Sequence, residues 1–155
     1  RCCSSAASDV YKRQGEKYWP VYFDKIKQCL KPGKQATLQI ITIQDARWEV
    51  YRKSVDFIQK YIFPGGMLPS PSVLRKEVHK AGLSVQHSIE FGKSYSQTLR
   101  RWFEVFNNKW DNINAMGFDD RFRRMWNFYL TSCAATFESG NCDVTQITLQ
   151  KPDNN

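Results

Sequence analysis

The sequence predicts an α/β fold, the second half of a doubly wound sheet with long aromatic helices against it. Three observations carry that expectation. Ala36 to Ile43 is a near-continuous run of β-branched and aliphatic residues, the pattern of a strand buried on both faces. Helical and strand periodicities alternate in the order α-β-α-α-β-α-α-β. No glycine-rich, phosphate-cradling turn follows any of the strands, so a nucleotide-binding half is expected on the N-terminal side of this segment.

From Tyr18 to Leu30, Trp19, Tyr22, Phe23, Ile26 and Leu30 recur at spacings of three and four, one apolar stripe of a helix. Lys31-Pro32-Gly33 ends it. The strand Ala36 to Ile43 comes next, and its apolar continuity favours parallel neighbours. Arg47 to Lys60 is mixed and partly helical. Tyr61-Ile62-Phe63-Pro64-Gly65-Gly66-Met67-Leu68-Pro69-Ser70 then combines four Pro or Gly residues with Tyr, Ile, Phe, Met and Leu. Such a stretch is neither helix nor central strand, and its apolar side chains need a core or an apolar ligand beside them. Ser70 is placed to cap the next helix, with Pro71 at its first position. That helix carries Val73, Leu74, Glu77 and Val78, and Gly82 stops it. Leu83 to Phe91 reads as a strand. Two long helices come after it. Tyr95, Leu99, Trp102, Phe103, Phe106, Trp110 and Ile113 stripe the first; Phe118, Phe122, Met125, Trp126, Tyr129, Cys133 and Phe137 stripe the second. The ordinary role of both stripes is core packing. Asn114-Ala115-Met116-Gly117 divides them, and Gly140-Asn141 precedes a last strand, Val144 to Leu149.

A length of 155 residues suits one domain or part of one, and 41% hydrophobic residues are enough for a core. The net charge of +8 points to an anionic partner: nucleic acid, acidic lipid headgroups or a phosphorylated substrate. No apolar run reaches the ~20 residues of a membrane span, and the N-terminus has no secretory apolar segment. None of Cys2, Cys3, Cys29, Cys133 and Cys142 forms a CxxC pair. Cys29 and Cys133 fall on apolar helical faces, so buried free thiols in a reducing cytoplasm are expected. His79 and His87 lack companion ligands, and no metal site is expected.

Residues 1–14 fit poorly with the rest of the chain. Ser4-Ser5-Ala6-Ala7-Ser8-Asp9-Val10-Tyr11-Lys12-Arg13-Gln14 back-translates to a string that looks like a transposase-based sequencing adapter read in frame. Residues 1–14 are therefore expected to be a translated library scar, and residues 15–155 the C-terminal part of a longer protein. Setting aside three cations (Arg1, Lys12, Arg13) and one anion (Asp9) lowers the charge from +8 to +6, still basic.

Four stretches, in order, resemble one family: Gly15-Glu16-Lys17-Tyr18-Trp19 through Leu30-Lys31-Pro32-Gly33; Phe57-Ile58-Gln59-Lys60-Tyr61-Ile62-Phe63-Pro64-Gly65-Gly66; Phe91-Gly92-Lys93-Ser94-Tyr95-Ser96-Gln97-Thr98-Leu99 with Trp102; and Arg121-Phe122-Arg123-Arg124-Met125-Trp126 with Tyr129-Leu130. They look like the C-terminal half of the cyclopropane-fatty-acyl-phospholipid synthases and their mycolic-acid relatives, which are S-adenosylmethionine-dependent methyltransferases with a Rossmann-like sheet. The second stretch is the most specific of the four.

The resemblance implies methyl transfer to a cis double bond of an unsaturated phospholipid acyl chain, proton removal by a bound bicarbonate, and ring closure. It implies a dry, aromatic site, because bulk water quenches a carbocation and aromatic faces tolerate positive charge. Tyr95 matches the tyrosine at the family's bicarbonate site, and Ile41 a position that contributes backbone to it. Gln39 stands where many members have a His; it can donate a hydrogen bond but does not titrate. That departure leaves a plain methyl branch as the alternative product. Tyr61, Phe63 and Tyr129 are expected as walls of the acyl channel. The residues that bind S-adenosylmethionine are expected upstream of Gly15, so this segment alone is expected to be inactive. The resemblance also implies a cytoplasmic enzyme held peripherally on the inner face of the membrane, where basic residues meet anionic headgroups; an oligomer is compatible with it. A related methyltransferase acting on a small molecule shares the fold. A nucleic-acid-binding module would use Arg100-Arg101 and Arg121, Arg123 and Arg124. No recognition motif accompanies those arginines, which read as solvated helix faces, and no nucleic-acid partner is expected.

Overall fold

The computed structural model describes residues 15–153; the proposed scar, with Cys2 and Cys3, lies outside the described residues. The chain divides into two compact units, residues 15–90 with 144–153, and Phe91–Asp143.

The first unit is built on a three-stranded sheet. After a single 3-10 turn at Glu16–Tyr18, helix α1 (Trp19–Cys29) leads to strand β1 (Gln35–Ile43). Two short helices, α2 (Asp45–Tyr51) and α3 (Phe57–Tyr61), occupy the mixed stretch. Helix α4 (Pro71–Lys80) precedes strand β2 (Ser84–Glu90), and β3 (Cys142–Gln150) closes the chain. The strand order is β1-β3-β2. β2 and β3 run antiparallel, from Ser84 opposite Gln150 to Glu90 opposite Thr145, with an irregularity between Val85 and His87. Side-chain bonds between Thr37 and Thr148 and between Gln39 and Gln146 run in opposite senses along β1 and β3. The parallel neighbours expected for β1 are therefore absent among the described residues. Its apolar run reflects burial of its C-terminal half, where Ile40, Thr42 and Ile43 are all buried, and β3 is the strand buried in alternation along most of its length.

Trp19 and Phe23 of α1, Leu74 and Val78 of α4, and Val144, Ile147 and Leu149 of β3 are among the buried residues of this unit. Trp19 also meets Trp48 of α2, ring centroids 5.8 Å apart. Cys29, expected on an apolar face, is exposed at the end of α1, whereas Cys142 is buried.

Polar bonds hold the loop after α3 at several points. Gln59 donates from Nε2 to the Gly66 carbonyl (2.9 Å), Leu68 N donates to the Tyr51 hydroxyl (3.1 Å), and Ile43 N donates to the Pro69 carbonyl (3.0 Å). Its last residues, Pro69 and Ser70, are buried, while Tyr61 and Phe63 remain 51% and 40% exposed. Ser70 caps α4 as expected, its hydroxyl accepting from Val73 N. Asp45 reinforces that cap by accepting from the backbone and hydroxyl of Ser72. Burial alone would raise the Asp45 carboxyl, but bonds from Ser70 and Ser72 and the charge of Arg75 outweigh it and hold it low.

The second unit is helical. α5 (Gly92–Asn108), α6 (Trp110–Ala115) and α7 (Asp120–Glu138) form it. The first aromatic stripe thus breaks at Lys109 instead of running on through Ile113. Met116-Gly117 makes the next turn, with Gly117 at φ +98°, a conformation that favours glycine. Asp119 caps α7 by accepting from Phe122 N at 2.8 Å. α5 starts on another close contact: Gly92 N donates to Asp143 Oδ1 at 2.7 Å. A Cβ on Gly92 would lie 3.1 Å from the Asp143 Cα, too close for any larger residue without movement.

Because Ser70 is fully buried and caps α4, Ser70→Ala is expected to cost about 1–2 kcal/mol. Urea denaturation checks it: the midpoint falls while the slope stays constant. A midpoint equal to that of the wild type would mean that the cap contributes nothing.

Candidate active site

The second unit gathers the aromatic side chains. α5 and α7 run antiparallel, since Tyr95 meets Phe137 near one end and Phe106 meets Phe122 and Trp126 near the other. Tyr95 stands edge-on to Phe137 at 5.2 Å and to Trp102 at 6.1 Å. Tyr129, Cys133 and Phe137 lie one turn apart on α7, so they share a face. Tyr129 packs against Trp126 at 5.0 Å. The geometry brings Tyr95 and Tyr129 together, with the Cys133 thiol next to both.

Both phenols are held in the protonated form. Burial is the main cause, and the Cys133 thiol adds to it; for Tyr129, Tyr95 adds further, and its pKa is pushed up to about 12. Two neutral hydroxyls beside aromatic rings make a coherent chemical setting. The Tyr95 hydroxyl can donate to a small anion, while ring faces accept a neighbouring positive charge. The start of α5 is fixed a second time by Ser96, fully buried, which donates to Glu138 at 2.9 Å. A groove of about 360 Å³ lined by Leu99, Phe103, Leu130 and Ala134 also lies in this unit. It includes neither phenol and is separate from the site.

The remaining expected residues lie in the first unit. Gln39 and Ile41 sit two apart on β1 and so face the same side. Gln39 is exposed, and its side-chain carbonyl accepts from Gln146 Nε2 at 3.2 Å, which leaves its amide N–H groups to donate elsewhere. Tyr61 packs on Phe57 (5.3 Å), with the Lys60 ammonium 5.2 Å from its ring. Tyr61 and Phe63 are both exposed. Sequence reasoning counted Cys133 among the core residues of α7. Its spacing of four from both Tyr129 and Phe137 was the signal that it shares their face.

No glycine-rich turn follows β1 or β2: Gln44-Asp45 and Phe91-Gly92 stand there instead. The described residues thus hold no glycine-rich cradle for a nucleotide-like cofactor.

A raised phenol pKa leaves stability intact below the free-phenol range near about 10 and removes it as pH rises from there towards 12. Tyr129→Phe is therefore expected to move alkaline unfolding to higher pH, read by circular dichroism alongside tyrosinate absorbance. An unchanged alkaline midpoint would place the Tyr129 hydroxyl in solvent.

Residues 6–147 match the mycolic acid cyclopropane synthetase family. Tuberculostearic acid methyltransferase UfaA1 of Mycobacterium tuberculosis is 37% identical over 147 residues, covering 94% of this chain and 34% of the relative. Cyclopropane-fatty-acyl-phospholipid synthase of Escherichia coli is 29% identical over 143 residues, covering 92% and 36%. The chain thus spans about a third of the length of these curated relatives. The crystal structure of mycolic acid cyclopropane synthase CmaA1 complexed with SAH and CTAB superposes with a TM-score of 0.81 at 24% identity, over 92% of this chain and 53% of that one. That likeness shows the α/β methyltransferase fold, of which the three-stranded sheet and its helices form a partial, Rossmann-like domain. On the family match across nearly its whole length, the chain belongs to the mycolic acid cyclopropane synthetase family.

Proposed function

We propose that the full-length enzyme containing this chain transfers a one-carbon group from S-adenosylmethionine to the cis double bond of an unsaturated phospholipid acyl chain, giving a cyclopropane. Residues 15–155 are then its C-terminal part, residues 1–14 are not native to it, and the cofactor-binding residues lie upstream of Gly15. S-adenosylmethionine supplies the carbon; its assignment is supported by the family match and by a fold neighbour that carries SAH. The observation that carries this reading is Tyr95, which stands beside Tyr129 among Trp102, Trp126 and Phe137. Burial keeps the Tyr95 hydroxyl protonated, and it offers a donor to an anion such as bicarbonate. Tyr61, Phe63 and Tyr129 serve as acyl-chain contacts, and Ile41 offers backbone groups beside Gln39.

A second reading rests on Gln39. With its carbonyl engaged by Gln146, it offers only non-titrating N–H donors. Without a titrating base there, the methylated carbocation can instead lose a neighbouring proton to solvent and keep the methyl as a branch on an alkene. The 37% identical relative is named as a methyltransferase. Action on a small molecule remains a reading of the fold alone.

We place the enzyme at the inner membrane surface, peripherally bound, with no nucleic-acid partner. No helix among the described residues is long and apolar enough to cross a membrane, and the basic charge suits anionic headgroups.

One experiment checks these points together. Full-length enzyme, S-adenosylmethionine and vesicles of oleoyl phospholipid, with and without anionic lipid, are expected to yield acyl chains heavier by one CH2, faster on the anionic vesicles and less so as salt rises. Ring protons in the product spectrum separate a cyclopropane from a methyl branch. Tyr95→Phe is expected to lower turnover by roughly one to three orders of magnitude with the fold intact. Unaltered lipid alongside methylation of a small water-soluble acceptor would overturn the lipid assignment, and full turnover by Tyr95→Phe would remove Tyr95 from the site.

A further inference from the structure

Resting on the reading of Tyr95 and Tyr129 as site residues, we propose that Asn107, Asn127 and Arg123 form a positioning node that sets the register of α5 against α7 and so holds Tyr95 in place. Away from Ser96 and Glu138 at its other end, the seam between the two helices is largely aromatic and aliphatic. Asn107 and Asn127 sit within it, half-buried, and bond each other twice. Asn107 Nδ2 donates to Asn127 Oδ1 at 2.8 Å, and Asn127 Nδ2 donates to Asn107 Oδ1 at 3.1 Å. Arg123 adds two bonds to the same Asn107 Oδ1, from Nε at 3.3 Å and from Nη2 at 3.2 Å. Its guanidinium also lies 5.0 Å from the centre of the Trp110 ring. Arg123 is therefore tied into the seam, unlike the solvated face that its sequence context suggested. Asn107 Nδ2 further donates to the Phe103 carbonyl at 2.9 Å.

Apolar contacts fix a register poorly. Phe106 touches both Phe122 and Trp126, one turn apart on α7, at 6.2 and 6.5 Å. A slip of one turn, about 5.4 Å, would exchange one ring for another with little loss. The amide pair forbids that slip, because it would strand two half-buried amides and a stacked guanidinium without their partners, and unmade polar bonds away from water are costly. A polar pair in a largely apolar helix seam is a known way to specify register, and Ser96–Glu138 pins the far end of the same seam. The consequence reaches the site through the rigid helix. Tyr95 lies twelve residues from Asn107 along α5, roughly 18 Å, and the same register puts it opposite Phe137 and beside Tyr129. These side chains do not touch the reacting groups; they act on Tyr95 by position.

The test uses Asn107→Leu/Asn127→Leu in the full-length enzyme, because replacing both partners of a polar pair by apolar groups of similar size need not unfold the seam. The expected result is helical circular dichroism like that of the wild type, loss of the Tyr95–Phe137 ring contact in nuclear Overhauser spectra of selectively labelled protein, and a roughly hundredfold fall in kcat with KM for S-adenosylmethionine unchanged. Persistence of the wild-type ring contact in the double variant would overturn the node. Loss of the contact with unchanged kcat would support the node and refute the site reading on which it rests. If the double variant does not fold, Asn127→Ala, which removes only the interhelical amide pair, gives the same decision from the ring contact.

Discussion

Two helices of 17 and 19 residues can hold a pair of phenols side by side in apolar surroundings only when their own seam is settled first. In this chain the seam is settled at both ends. At one end Gly92 meets the Asp143 carboxylate and Ser96 meets Glu138. At the other, Asn107, Asn127 and Arg123 interlock. Between them the aromatic rings supply bulk but discriminate poorly between registers. The polar groups at the two ends decide where Tyr95 sits, and the rings decide what kind of environment it sits in.

That division explains why the hydroxyls of Tyr95 and Tyr129 stay protonated. Partial burial is the main cause, and the Cys133 thiol further disfavours the charge that a phenol would gain on ionising. A donor kept neutral well above physiological pH suits chemistry in which an anion must be held without an acid being consumed. The first unit contributes differently. Its sheet is antiparallel as described, centred on β3, and it presents Gln39 with one side of its amide already engaged by Gln146.

The periodic segments were legible because their patterns are local. The stripe on α1, the Ser70-Pro71 start of α4 and the aromatic faces of α5 and α7 all depend on residues three or four apart. Strand direction was not legible. Ala36 to Ile43 reads as a strand buried on both faces in a parallel setting, yet it pairs with β3 running the other way, because burial can come from helices and loops as readily as from parallel neighbours. The break at Lys109 carries no Pro or Gly to announce it. In the candidate site, Tyr95 was found through its resemblance to the family. Its pairing with Tyr129 and Cys133 required the register, which depends on Asn107 and Asn127. Asparagine on a helix ordinarily reads as solvent-facing; only its place within the apolar stripes, one residue after Phe106 and one after Trp126, distinguishes it.

If the proposed function holds, the Tyr95–Tyr129 cluster of α5 and α7 lies beside the reacting double bond, while Tyr61 and Phe63 contact the chain away from it. Photolabelling tests it most directly, using full-length enzyme and a phospholipid that carries a diazirine near the position of the double bond. The account predicts adducts, mapped by mass spectrometry, on residues of the Tyr95, Trp102, Trp126, Tyr129 and Phe137 cluster. Adducts confined to residues 15–90, with none on α5 or α7, would contradict it.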